Sequence, residues 1–338
     1  MAEHQHAVAP LLALENVSKR FAHPLDTVAR IANLFGGKRA PQTVHAVDQV
    51  SLAIHAGEVV GLVGESGCGK STLGRMAVGL HTLSDGKRFW KEEDLTALAP
   101  AQQRQRQLAM QLIFQDPYAS LNPSLRVRDI IGEAPLAHGL IAAAQQEQTV
   151  ADLLRKVGLD PAVMRRFPHQ FSGGQRARIG IARALAVQPE LLVCDEAVAA
   201  LDVSIQAQVL NLFMRLREEL SLTYLFISHD LGVVRHIADR VCIMYLGRIV
   251  EAAPTDALFA HANHPYTQAL LASAPRLEAK KVQFAPIHGE IPSPLHPPSG
   301  CHFHPRCPHA MPRCREEQPL LREVAAGHVS ACHLNDRA

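Results

Sequence analysis

A chain of 338 residues, 47% of them hydrophobic, can bury a full core and has room for about two or three domains. Lys plus Arg number 34 against 32 Asp plus Glu, so a formal charge of +2 excludes any global electrostatic pull toward nucleic acid or an anionic membrane and leaves only local basic roles. No apolar run of about 18 residues occurs, and residues 1–10 lack the basic-then-apolar layout of a secretory signal, so the expected location is the cytosol, with membrane contact only through a partner.

In chain order, residues 11–21 read as a strand with turns, and residues 22–43, with Gly36-Gly37 and Pro41, read as an inserted loop. Residues 47–54 alternate apolar and polar as a half-buried strand does, and residues 55–58 make a turn. A short apolar run, 59–63, ends in glycines and is followed by strong helix formers over 71–80. Residues 99–189 are too long for one crossover and rich in helix formers at 149–157 and 175–187, which predicts an inserted helical subdomain. Two more apolar runs, 191–194 and 224–227, flank a helical stretch at 203–220, and the interleaving predicts an α/β domain with a largely parallel sheet. Residues 241–253 read as a hairpin about Gly247. Beyond Leu277, Pro, His and Cys dominate; helix is not expected there, and cross-links are expected to hold the tail if it is ordered.

The loop Gly64-Glu65-Ser66-Gly67-Cys68-Gly69-Lys70-Ser71-Thr72 fits Gly-x4-Gly-Lys-Ser, a phosphate-binding pattern. Its glycines let backbone N–H groups close around phosphate oxygens, and the helix start adds partial positive charge. Lys70 then reaches the β- and γ-phosphates of ATP and Ser71 coordinates Mg²⁺. The bland alternative, a glycine-rich turn that only caps a helix, accounts less well for a strand before the loop and a helix after it. Asp195 ends an apolar strand, where its carboxylate can reach the same Mg²⁺. Glu196, the next residue, is placed to polarise an attacking water.

The stretch Phe171-Ser172-Gly173-Gly174-Gln175-Arg176 before a helix resembles the signature sequence of ABC ATPases. The resemblance implies that Ser172, Gly173, Gly174 and Gln175 form a second anion cap that closes on the partner subunit's ATP. It further implies that Gln115, in Phe114-Gln115-Asp116-Pro117, is the Q-loop residue near Mg²⁺, that Asp202 belongs to the D-loop, and that His229 is the switch histidine. Phe21 is then the adenine-stacking aromatic, against the plainer reading of a core aromatic at a strand end. Residues 115–123, His264-Pro265-Tyr266-Thr267 and the cysteine-rich end are similar to ATP-binding subunits of dipeptide/oligopeptide importers, and the insertion ending in Ala46-Val47-Asp48 is similar to their F-type subunit.

That likeness implies a P-loop ABC nucleotide-binding domain at 11–260: a RecA-like core, an antiparallel β subdomain and a helical signature subdomain at about 116–188. A peptide-importer-type extension follows at 261–338, with a metal-binding segment at 301–332. The implied partners are a second, D-type ATPase subunit, two transmembrane permease subunits and, indirectly, an external substrate-binding protein, with no nucleic acid. The implied place is the cytoplasmic face of the bacterial inner membrane. ATP and Mg²⁺ close the dimer, and hydrolysis at Glu196 reopens it. Two departures from the family are Ala197 and Ala199, where Pro and Ser are common, and residues 83–90, which lack the usual turn-and-strand pattern and leave β-structure there in doubt.

Cys68 lies in the loop, and Cys194 and Cys242 sit in apolar strands as small core residues. Cys301, Cys307, Cys314 and Cys332 crowd together. A reducing cytosol argues against disulfides. Zinc sites usually pair cysteines about two to four residues apart, which none of these do, and a [4Fe–4S] cluster also takes four thiolates. Spacing leaves the two metals open; the resemblance implies the iron–sulfur cluster, with zinc as the alternative. The interleaved His302, His304, His309 and His333 read as a solvated loop. Outside the transport class stand a soluble ABC protein without a permease and a cassette that binds ATP without turnover. One cassette, no long heptad run, and the presence of Glu196 and His229 speak against both. Within that class the cargo stays open between peptides, the modal expectation, and nickel, glutathione or sugars.

Overall fold

The computed structural model describes residues 9–23, 42–273 and 289–337. Most of the inserted loop expected at 22–43 and the start of the proline-rich tail lie outside the described residues. The chain runs β1 (Leu12–His23), β2 (Gln42–Ile54), β3 (Val59–Val63), α1 (Lys70–Ala77), β4 (Asp85–Trp90), β5 (Glu93–Asp94), α2 (Pro100–Gln107) and β6 (Met110–Ile113). Then come α3 (Val127–Ala137), α4 (Gln146–Lys156), α5 (Gly173–Leu185), β7 (Leu191–Asp195), α6 (Val203–Leu220), β8 (Thr223–Ser228), α7 (Leu231–Ile237), β9 (Arg240–Tyr245) and β10 (Arg248–Pro254). The described chain finishes with α8 (Thr255–Ala260), α9 (Pro265–Ser273), α10 (Pro312–Glu316), β11 (Arg322–Ala325) and β12 (His328–Ser330).

These strands form two sheets, one ordered β2-β1-β4-β5 and one ordered β11-β12-β10-β9-β3-β8-β7-β6. In the larger sheet β9, β3, β8, β7 and β6 run parallel, and every residue of β3, β7 and β8 is buried. Because successive side chains of a strand point to opposite faces, these runs supply two cores at once. Val59, Leu192, Cys194, Tyr224 and Phe226 pack on the side of α5 and α6; Val60, Leu62, Leu191, Val193, Leu225 and Ile227 pack toward α1 and the smaller sheet. Phe213 of α6 sets its ring edge-on to Tyr224 and Phe226 at 5.7 and 5.9 Å and accepts the Tyr224 hydroxyl proton on its carbonyl at 3.0 Å.

Two strands depart from the sequence expectation. Residues 85–90, where β-structure was in doubt, form β4 against β1; the inward position Arg88 disguises the alternation, and its guanidinium donates to the Met76 carbonyl at the end of α1 at 2.8 Å. Within 99–189, read as holding an inserted helical subdomain, β6 precedes the helices and pairs with β7, too short and too polar at Gln111 to declare itself by periodicity.

Residues 289–337 of the proline-rich tail fold without covalent cross-links, contrary to expectation. Strand β12 adds antiparallel to β10, with Glu251 opposite Ser330, and β11 pairs outside it. Phe303 is buried against Tyr245 and Tyr266, with ring centroids 5.2 and 5.4 Å away. Glu251, fully buried, accepts from the backbone N–H groups of Asn263 and His264 at 2.7 and 2.9 Å, and His328 Nε2 lies 2.6 Å from it. His302 is buried rather than solvated, its Nδ1 3.0 Å from the Leu246 carbonyl oxygen, and His333 is buried too, with Nε2 3.0 Å from the Glu317 carbonyl.

Burial holds the imidazoles of His264 and His302 down at about 4. In the unfolded chain they titrate at about 6.5, so between those values the unfolded state binds more protons and stability is lost as the pH falls through that window, by up to about 1.4 kcal/mol per pH unit for each group. Urea unfolding midpoints are therefore expected to drop between pH 6.5 and 4. His302→Gln should shallow that drop; an identical slope in the variant would remove His302 as its source.

Candidate functional site

Strand β3 delivers the chain into the glycine-rich loop. Gly69 adopts φ +107°, and a Cβ there would stand 2.1 Å from the Ala46 carbonyl oxygen, so only glycine fits between the loop and β2. Gly69 is also the N-cap of α1; it offers no side-chain acceptor, and the first turn of the helix holds no acid. The helix start is therefore left with donors and partial positive charge suited to an anion. Lys70 is buried, and its ammonium donates to the carbonyl oxygens of Gly64 and Glu65 at 2.7 and 2.9 Å.

From β7 and β8 come the other polar groups. The Ser71 hydroxyl donates to Asp195 Oδ1 at 2.7 Å. Burial raises the Asp195 carboxyl above its ordinary range, against the opposing pull of the Ser71 hydrogen bond and of Arg75. Glu196 follows in the left-handed backbone region, φ +48°, a conformation that costs a non-glycine residue roughly 1–3 kcal/mol and that recurs at working sites. Its carboxylate accepts from Gln115 Nε2 at 2.7 Å and lies 3.4 Å from His229 Nδ1. Ala197 and Val198, in the turn where the sequence departs from the family pattern, are buried in the core. A cavity of about 360 Å³ is lined by Phe21, Val44, Ala46, Ser66, Gly67, Gly69, Lys70, Ser71, Thr72, Gln115, Glu196 and Pro294. That volume suits a bound small molecule. Phe21 stands on its wall, edge-on to His81 at 5.5 Å, and is absent from both cores. A second cavity, of about 420 Å³ between β2, β10 and the tail, contains none of the residues singled out for phosphate or water chemistry. The Ser71 hydroxyl, the Asp195 carboxylate and the Gln115 amide offer the hard oxygen donors that Mg²⁺ takes.

Ser172, Gly173, Gly174 and Gln175 do not join this cavity. Ser172 Oγ accepts from the Gln175 N–H at 3.3 Å and Gln175 Oε1 accepts from the Ser172 N–H at 3.1 Å, a capping box at the start of α5 with both side chains exposed. A Cβ on Gly174 would lie 2.4 Å from Ile205 Cγ2, which sets how closely α5 approaches α6. Asp202 is the exposed N-cap residue of α6.

The expected iron–sulfur cluster on Cys301, Cys307, Cys314 and Cys332, and the zinc alternative, are corrected. Among the described residues no group of three or more His, Cys, Asp or Glu is arranged to hold a metal ion. Burial instead favours neutral thiols, with Cys301 pushed up to about 11 and Cys307 and Cys332 also raised. What holds the tail in place of a cross-link is the strand pairing of β12, the buried Phe303 ring and an ion pair from Arg306 to Glu65. Arg306, Tyr266 and Pro294 reach the loop or its cavity and were not foreseen as site residues. The only sequence signal for them is that they fall within segments noted for other reasons.

Residues 47–199 match the ABC transporter family, and residues 250–314 match the C-terminal region of oligopeptide/dipeptide transporters. The oligopeptide transport ATP-binding protein AppF of Bacillus subtilis is 50% identical across 86% of this chain and 90% of its own length. OppF of Salmonella typhimurium, an oligopeptide transport ATP-binding protein, is 48% identical across 86% and 88%, and the dipeptide transport ATP-binding protein DppF of Haemophilus influenzae 45% across 86% and 90%. In fold, the chain is similar to the ATP-binding cassette MJ0796, solved as a dimer in a post-hydrolysis state with ADP and Pi, with TM-score 0.61 and 24% identity over 72% of this chain and 98% of that one. The fold is thus that of an ABC ATPase cassette. The chain belongs to the ATP-binding subunits of the oligopeptide/dipeptide ABC transporter family. No helix among the described residues is long and apolar enough to cross a membrane.

Gly69→Ala must accommodate both the positive φ and the Ala46 carbonyl, and is expected to cost about 1–3 kcal/mol and weaken nucleotide binding. Thermal melts with and without MgATP check this; an unchanged melt and an unchanged ligand-induced shift would mean that the loop does not pack on β2 as described.

Proposed function

We propose that this chain is the ATP-hydrolysing subunit that powers a peptide importer, its ATP held at the loop Gly64–Thr72. The observation that carries the reading is that Glu196, hydrogen-bonded by Gln115 and 3.4 Å from His229 Nδ1, lines the same cavity as Lys70 and Ser71 of the loop. The relatives' names, oligopeptide and dipeptide transport ATP-binding proteins, support the cargo class.

In this reading the amides of residues 64–72 and the Lys70 ammonium hold the phosphates, and Phe21 packs on the adenine. Ser71, Asp195 and Gln115 would hold Mg²⁺, which supplies charge neutralisation at the β- and γ-phosphates. Glu196 orients and polarises the attacking water, its carboxylate fixed by Gln115 on one oxygen, and His229 on the other side contacts the γ-phosphoryl group. Ser172, Gly173, Gly174 and Gln175 serve the ATP of a second cassette, with Asp202 at the seam. The exposure of Ser172 and Gln175 and the absence of all four residues from the chain's own cavity support that assignment, because the partial positive charge of a helix N-terminus at the surface suits an anion held by another chain. We take residues 11–260 as the ATPase domain, with the helical part at about 116–188, and 261–338 as the C-terminal unit. The partner cassette is of the D-type. Two permease subunits, fed by an external binding protein, hold the pair on the cytoplasmic face of the inner membrane.

Glu196→Gln keeps the shape and removes the charge; it should lower turnover by at least about a hundredfold while leaving MgATP binding within a few-fold of wild type. Wild-type turnover in that variant would sink the water-activating role. Deleting the candidate permease genes should move the chain from the membrane fraction to the soluble one, and a distribution indifferent to the deletion would favour a soluble ABC protein.

A further inference from the structure

The loop's second residue, Glu65, is gripped from a distant part of the chain. Its backbone N–H donates to the Tyr266 hydroxyl at 2.9 Å, and its carboxylate receives both terminal nitrogens of Arg306, Nη1 to Oε2 at 2.6 Å and Nη2 to Oε1 at 3.0 Å. Two parallel N–H···O bonds from one guanidinium fix direction as well as distance. Arg306 is 4% exposed at its side chain and Glu65 21%, so the pair is shielded from water and salt.

The grip has firm backing. Tyr266 is fully buried, 4.6 Å from Tyr245 between ring centroids, and Phe303 packs on both; Arg306 Nη1 also donates to the Tyr245 hydroxyl at 3.5 Å. The Glu65 carbonyl oxygen, on the same residue, is one of the two carbonyl oxygens that accept from the Lys70 ammonium. A rigid aromatic block is therefore linked through Glu65 to the lysine. A second contact reaches the site independently: Pro294 lines the cavity, and its carbonyl accepts the His45 N–H at 3.0 Å.

We propose that Arg306 and Tyr266 are positioning residues for ATP binding: they hold Glu65 by its carboxylate and its amide, and so set the shape of the loop Gly64–Thr72 and the place of Lys70. Docking of the C-terminal part of the chain is thereby coupled to nucleotide affinity. By linkage, MgATP tightens that docking by the same factor. Neither side chain touches the reacting atoms, so the effect falls on the grip for phosphate. The inference rests on the loop being the ATP site.

The test uses the full chain, with MgATP binding followed by a fluorescent ATP analogue and turnover by phosphate release. Tyr266→Phe removes the hydroxyl acceptor and keeps the ring; Arg306→Met removes the fork and keeps much of the stem. Each is expected to raise the Kd and KM for MgATP about tenfold, with kcat at saturation within about twofold, the loss of one or two well-formed hydrogen bonds to the loop. Arg306→Lys restores part of the affinity, because an ammonium pairs with Glu65 but does not fork. A residue that only stabilised the fold would lower the melting temperature and leave KM alone. Folded Tyr266→Phe and Arg306→Lys with wild-type Kd and KM overturn the proposal, and the tyrosine variant decides it even where Arg306→Met fails to fold. Failure of the wild-type chain itself to bind MgATP would overturn the site assignment and this inference together, an outcome visible before any variant is made.

Discussion

A parallel sheet buried on both faces leaves little room for charge in the middle of its strands, and nearly everything at this site follows from that. Every residue of β3, β7 and β8 is buried, the large apolar ones in one core or the other, and the polar side chains of the site gather where the strands stop, Asp195 as the last residue of β7 and Ser228 as the last of β8. The three strands are parallel neighbours in register, Val63 beside Ser228 and Asp195 beside Ile227, so they stop at one edge. Gly64, Glu196 and His229 meet there because the strands were made apolar elsewhere. Helix α1 can cross close above them since Gly74 leaves its face bare: a Cβ would stand 2.7 Å from Ile227 and 3.0 Å from Val193. The crevice beyond the carboxyl ends is where open α/β sheets bind ligands.

Two adjacent carboxylates, Asp195 and Glu196, then receive different surroundings. Asp195 is the last residue of the buried strand, almost wholly enclosed and tied to a hydroxyl. Glu196 escapes the strand by a backbone twist that an acid rarely adopts, and faces an amide and an imidazole in a more open place. Their separation into two environments is what allows neighbouring acids to take unlike tasks.

The sequence discloses what depends on local order. Runs such as Val59–Val63 and the helix Val203–Leu220 were legible from apolar patterning, and the loop residues from spacing that only a tight phosphate turn requires. Strand β4 was not, because Arg88 occupies an inward position and its reason, the carbonyl at the end of α1, lies elsewhere in space. The tail was misjudged for a related cause. Its proline content correctly argued against long helices, yet its stability comes from partners far up the chain: Arg306 meets Glu65 across 241 residues, and β12 finds β10. Four thiols near one another in sequence suggested a shared ligand, and the described residues form no such group. Contacts of that range leave no periodic trace.

The pairing of β12 with β10 bears on the order in which the molecule is completed. Chains are synthesised from the amino end, and domains begin to fold as they emerge. Until residues 328–330 have left the ribosome, β10 is a bare sheet edge, and Glu251 lacks its histidine neighbour. An open edge of this kind invites pairing with other chains. Strands β12 and β11 close it, presenting the charged, exposed Arg322 and Glu323 of β11 as the new margin. A cassette that has not yet gained the β11–β12 hairpin therefore carries an open edge that the folded chain covers.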